Sequence, residues 1–76
     1  MEHYYEIFCR LLNMNSEEDI KNAKMDETKS WTSFVHLKLI AQIEQVFDIT
    51  FDAADILEFN SFESGLKILE RKGIQL

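Results

Sequence analysis

The chain contains no proline and only two glycines, Gly65 and Gly73, among its 76 residues. β-Hairpins draw heavily on such turn residues, so their scarcity argues against a sheet of short strands and for helices. A single cysteine, Cys9, rules out an internal disulfide and fits a reducing compartment. Basic residues are also few, eight against fourteen acids, for a formal net charge of −6. A field of that sign repels phosphate backbones, which argues against nucleic acid as a partner and for enzymes with basic docking surfaces. No apolar run approaches the roughly 20 residues of a membrane-spanning helix. The first residues are acidic and aromatic, unlike the basic, apolar start of a signal peptide. Together these absences predict a soluble, cytoplasmic protein.

Apolar residues make up 46% of the chain, too many for a disordered segment and enough for one small core. One domain, residues 1–76, is therefore expected, without room for both a stable interior and a deep substrate pocket. Tyr4, Tyr5, Ile7, Phe8, Leu11 and Leu12 recur at three- and four-residue spacings and predict a first helix over 2–13. Residues 14–32 are polar and aperiodic, a long first loop that needs some structure of its own. Ser16 with Asp19 suits a capped short turn there, with Ile20 and Ala23 directed inward.

A second helix is predicted over 33–47. Each residue advances roughly 100° around a helix, which places His36, Leu39, Ile40, Ile43, Val46 and Phe47 on one core stripe. Lys38, Gln42 and Gln45 fall opposite, and Phe34, Leu37 and Ala41 form a second apolar strip on the flank. A short third helix is predicted over 51–59, capped by Asp52 and with Ile56 inward. A fourth is predicted over 61–72, with an Asn60–Glu63 capping box and a stripe of Phe62, Leu66 and Leu69. Lys67, Arg71 and Lys72 suit the negative end of its dipole, Gly73 suits a left-handed stop, and Ile74 can fold back. The sum is an all-α fold: a small four-helix bundle with a long first loop and a short third helix.

The run Trp31-Thr32-Ser33-Phe34-Val35-His36-Leu37-Lys38-Leu39-Ile40 puts a serine at the mouth of the second helix. It resembles the prosthetic-group attachment site of acyl and peptidyl carrier proteins, in which a serine of an Asp-Ser-Leu-like motif carries 4'-phosphopantetheine. Ser33 matches that serine, Phe34 stands for the leucine, and Thr32 departs from the aspartate. The resemblance continues through Phe47-Asp48-Ile49 and an acid-rich segment to the last helix at Asn60-Ser61-Phe62, covering nearly the whole chain. Trp31 and the His-Leu-x-Leu-Ile run look less like fatty-acid synthesis carriers and more like stand-alone carriers of bacterial specialised or surface-polysaccharide pathways. Lys38 stands where many fatty-acid carriers have an acid.

The resemblance implies a non-enzymatic carrier that holds an acyl or aminoacyl group as a thioester on phosphopantetheine attached to Ser33. Its implied partners are a phosphopantetheinyl transferase, a ligase or acyltransferase that loads the arm, and a downstream enzyme that unloads it. Phe34, Leu37 and Ala41 match positions at which carriers meet these enzymes, and a monomer is expected. The aspartate that Thr32 replaces helps to engage the transferase in that family. Its loss keeps a second reading open, a carrier-like interaction module that is not modified.

Plainer readings stand beside these. Ser33 or Thr32 can each serve as the helix N-cap, and Phe34, Leu37 and Ala41 can instead pack beneath the first loop. Cys9 reads as a small buried thiol. His36, angled toward the core, reads as a hydrogen-bonded structural histidine, with no partner for a catalytic triad. A small hydrolase therefore lacks both base and pocket. His3 and His36 lack zinc spacing, and Glu17, Glu18 and Asp19 read as a solvated loop surface with no calcium-loop pattern.

Overall fold

The first apolar stripe folds as α1 (Glu2–Leu12), with Tyr4, Ile7, Phe8 and Leu12 buried. The computed structural model describes residues 2–75. It continues with α2 (Glu17–Lys21), α3 (Ser33–Phe47), α4 (Ala53–Glu58) and α5 (Phe62–Arg71), and the described residues form no strand. Five helices thus replace the four expected. The addition is α2, a short turn inside the first loop. Ser16 caps it by accepting the Asp19 N–H, and buried Ile20 and Ala23 pin it to the core. A loop that must cross a bundle gains from such an anchor, because an unstructured one would leave backbone groups unpaired.

The loop is also tied to the last helix. Met25 N–H donates to Asn60 O (2.8 Å) and Phe62 N–H donates to Ala23 O (3.1 Å). This pairing moves the start of α5. Ser61, in extended backbone, becomes the N-cap and Ser64, in place of Glu63, closes the capping box. At the other end Gly73 adopts φ 83°. Ile74 N–H returns to Leu69 O and Gly73 N–H to Glu70 O, the double bond of a Schellman stop. Ile74 packs against the core as expected, and Ile68, outside the expected stripe, is fully buried.

The third predicted helix is shorter than its periodicity suggested. Phe51 and Phe59 are buried, yet both lie outside α4, Phe59 as its C-cap in extended backbone. With the helix confined to Ala53–Glu58, the inward position belongs to Asp55 and Ile56 is exposed. Asp52 caps the helix, exchanging bonds with Asp55 in a reciprocal box. Lys72 Nζ lies 2.7 Å from Asp55 Oδ2 and Arg71 Nη2 3.3 Å from Oδ1. The Lys72 hydrogen bond, helped by the Asp52 amide, holds the Asp55 carboxyl below the usual carboxylate range. α4 is therefore moored by two flanking aromatic rings and an ion network, not by an apolar stripe of its own.

In α3, Leu39, Ile40 and Ile43 are buried, while His36 and Phe47 are half-buried. Val46 is exposed, contrary to expectation. The chain turns at once after α3, with Asp48 left-handed at φ 53° and Ile49 N–H returning to Glu44 O. Phe47 and Ile49 then cover the core at this end. Gln42, expected on the outer side, is half-buried and accepts a hydrogen bond from Arg10 of α1.

The interior is aromatic. Phe8 meets Tyr4, Trp31, Phe59 and Phe62 with ring centroids 4.8 to 6.1 Å apart, mostly in tilted or edge-on contacts. Tyr4 donates its hydroxyl hydrogen to Phe62 O at 2.7 Å, and burial pushes its phenol well above the ordinary value. Gly65 makes that contact possible: a β-carbon there would collide with the Tyr4 hydroxyl and lie 2.8 Å from the Phe59 ring. Gly65→Ala gains about 1 kcal/mol of helix propensity, but overpacking a filled core costs about 1–3 kcal/mol. Thermal or urea unfolding should therefore show the variant less stable than the parent, with the same helical content.

Candidate functional site

Trp31 is buried, and its indole N–H donates to His36 Nδ1 at 3.0 Å. Its ring lies 5.5 Å from those of both Phe8 and Phe59, and the His36 imidazole stacks on Phe59 at 5.2 Å. The residue immediately before the α3 cap is thus locked into the core. His36 is the hydrogen-bonded structural histidine expected, and its partner is the tryptophan five residues earlier.

From that anchor the chain emerges into solvent. Thr32 is the N-cap, its hydroxyl accepting the Val35 N–H at 3.2 Å. Of the two candidates for the cap, the structure selects Thr32. Ser33 occupies the first helical position, exposed and outside the capping bond. Helix geometry leaves the Ser33 and Phe34 amides without intrahelical acceptors, and the dipole adds partial positive charge there. No acidic residue stands in the first turn.

Beside Ser33 lies an open groove of about 500 Å³ lined by Met25, Asp26, Trp31, Thr32 and Asn60. Its far wall comes from the first loop and the segment before α5, joined by the Met25–Asn60 hydrogen bond. The sequence carried no sign of this groove, because its walls come from segments whose pairing is not local.

The flank strip is where the helix angle placed it. Phe34 is 67% and Leu37 65% exposed, Ala41 is exposed, and the first loop covers none of the three. Cys9 is half-buried on α1. Glu17 pairs with Lys21, which lowers its carboxyl below the ordinary range, and remains on the solvated face of α2. Among the described residues, no helix is long and apolar enough to cross a membrane, and no three metal-binding side chains gather. No protein-family model matches the chain, and no curated protein matches it.

Burial holds the His36 imidazole below its ordinary value. The folded protein thus keeps the ring uncharged at neutral pH, with Nδ1 free to accept the indole hydrogen. Protonation would set a second N–H against the first. Because the unfolded chain takes up that proton more readily, the stabilisation is complete above about pH 6.5 and is lost as pH falls below it. Melting temperature should therefore decline from about pH 7 to about pH 5.5. His36→Gln, which accepts the indole hydrogen but does not titrate, should flatten that decline.

Proposed function

We propose that the protein is a stand-alone acyl or aminoacyl carrier, modified at Ser33 with 4'-phosphopantetheine. The supporting observation is that Ser33 lies exposed in the first turn of a 15-residue helix whose cap is already supplied by Thr32. A phosphodiester on that oxygen would sit beside unpaired amides at the positive end of the helix dipole. The groove next to Ser33 leaves space for an arm to leave the surface without displacing the core. When attached, the group supplies a flexible tether ending in a thiol that holds cargo as a thioester.

The chain's own residues provide position. Trp31 fixes the start of α3, Thr32 closes its first turn, and Ser33 is left to face incoming enzymes. Those partners are a phosphopantetheinyl transferase, a loading ligase or acyltransferase, and an enzyme that consumes the cargo. They would meet Phe34, Leu37 and Ala41 beside the attachment point, in small contacts that release quickly. A cytoplasmic, monomeric carrier suits this traffic. The chemistry belongs to the partners, so the carrier itself is not an enzyme.

Thr32 offers no carboxylate to a basic transferase, and the same exposed strip would equally serve an unmodified interaction module. Incubation with coenzyme A and a broad-specificity transferase separates the two. The intact mass should rise by one phosphopantetheine, and Ser33→Ala should abolish the gain. No gain with several transferases would favour the module. Leu37→Asp changes an exposed side chain, so its stability should stay within about 0.5 kcal/mol of the parent. Its rate of modification or loading should fall.

A further inference from the structure

The eight basic side chains are not distributed evenly in their pairing. Lys21, Lys24, Lys67, Arg71 and Lys72 sit in ion pairs among the described residues. Of the three remaining, Arg10 and Lys38 line one open groove of about 310 Å³ between α1 and α3, with Leu11, Ala41 and Gln42. No acid lines it. Arg10 is held there by a neutral acceptor, the Gln42 side-chain oxygen at 3.1 Å, and makes no ion pair among the described residues. The Lys38 amine stands 4.5 Å from the centre of the exposed Phe34 ring. Glu44, the acid within α3, turns its carboxylate to the Phe51 N–H at 2.7 Å.

We infer that the groove between α1 and α3, with the Phe34–Leu37–Ala41 strip, docks an acidic and apolar segment of a partner protein. This extends the docking role proposed above and reverses the polarity that the net charge suggests: the molecule is acidic, but the charged side chains lining this groove are both basic. Apolar side chains of the partner would cover Phe34 and Leu37, and its carboxylates would meet Arg10 and Lys38. Charge of this kind sets orientation and selects against partners of the wrong sign.

Other occupants fit less well. An anionic membrane surface would face the whole molecule's −6 charge, whereas a short segment meets only local charge within about 8 Å, the screening length in physiological salt. A second copy could offer its α4, where Leu57 is 83% exposed. The adjacent carboxylates of Asp55 and Glu58, however, are already taken by Lys72 and Arg71.

The test uses the unmodified full chain and a displayed library of amphipathic helices. Residues flanking a fixed leucine stripe are varied among glutamate, lysine and serine. Selection on the parent should enrich glutamate. Enriched peptides should bind the Arg10→Glu/Lys38→Glu variant about tenfold more weakly, and lysine-flanked peptides should take their place on it. Binding should vanish in Leu37→Asp and weaken with added salt on the parent, a readout independent of any variant's folding. No enrichment, no charge preference, an unchanged preference after charge reversal, or binding that survives Leu37→Asp would overturn the inference. So would tighter binding to phosphatidylserine vesicles, or a dimer abolished by Leu37→Asp. Because Ser33 carries no group here, failure leaves the mass experiment unaffected, and failure of that experiment leaves this one unaffected.

Discussion

Everything proposed for Ser33 depends on the burial of Trp31. An indole is large enough to fix the backbone on which it sits, and this one is held by Phe8, Phe59 and a hydrogen bond to His36. The next residue must then turn out of the core, and Thr32 does so while capping the helix. Ser33 follows at the first helical position with its hydroxyl uncommitted to the cap. Burying an indole without a partner for its N–H would carry a penalty of about 1–3 kcal/mol. His36, one turn into α3, removes that penalty and joins the helix start to the same cluster. The histidine contributes through position and tautomer, and has no need of reactivity.

The same division between interior and surface governs the charges. Most basic side chains are engaged locally: Lys21 pairs along α2, and Arg71 with Lys72 fastens α4 through Asp55 and Glu58. The pair Lys72–Asp55 is shielded, whereas exposed pairs such as Lys67–Glu63 contribute little. Every buried side-chain nitrogen and oxygen among the described residues has a hydrogen-bond partner. Polar groups that remain available therefore lie on the outside, Ser33 at the start of α3 among them.

Signals that act within one helical turn were readable in the chain. The limits of α3, the Asp52 cap, the Ser16 turn, the Gly73 stop and the return of Ile74 all depend on neighbours in sequence. Misreadings arose where a distant segment intervened. Asn60 could not cap α5 because its carbonyl is engaged by Met25, and Ile56 yielded the inward position to Asp55 because Arg71 at the end of α5 and its C-cap Lys72 wait there. Val46 lost its cover when the chain turned at Asp48. Of the site, the flank position of Phe34, Leu37 and Ala41 followed from helical angle and the free Ser33 from Thr32 as an alternative cap, whereas both grooves required contacts between segments far apart in sequence. Arg10 could not be assigned to the α3 face from periodicity alone.

The anchoring of α3 can be observed directly by nitrogen-15 NMR of the indole and imidazole groups at neutral pH. A buried Trp31 bonded to His36 predicts an indole hydrogen that exchanges slowly with solvent, and an imidazole protonated at Nε2 alone. It also predicts a Ser33 amide that exchanges fast beside that protected indole. A rapidly exchanging indole, or a proton on Nδ1 of His36, would show that Trp31 does not fix the helix start, and the placement of Ser33 would lose its physical basis.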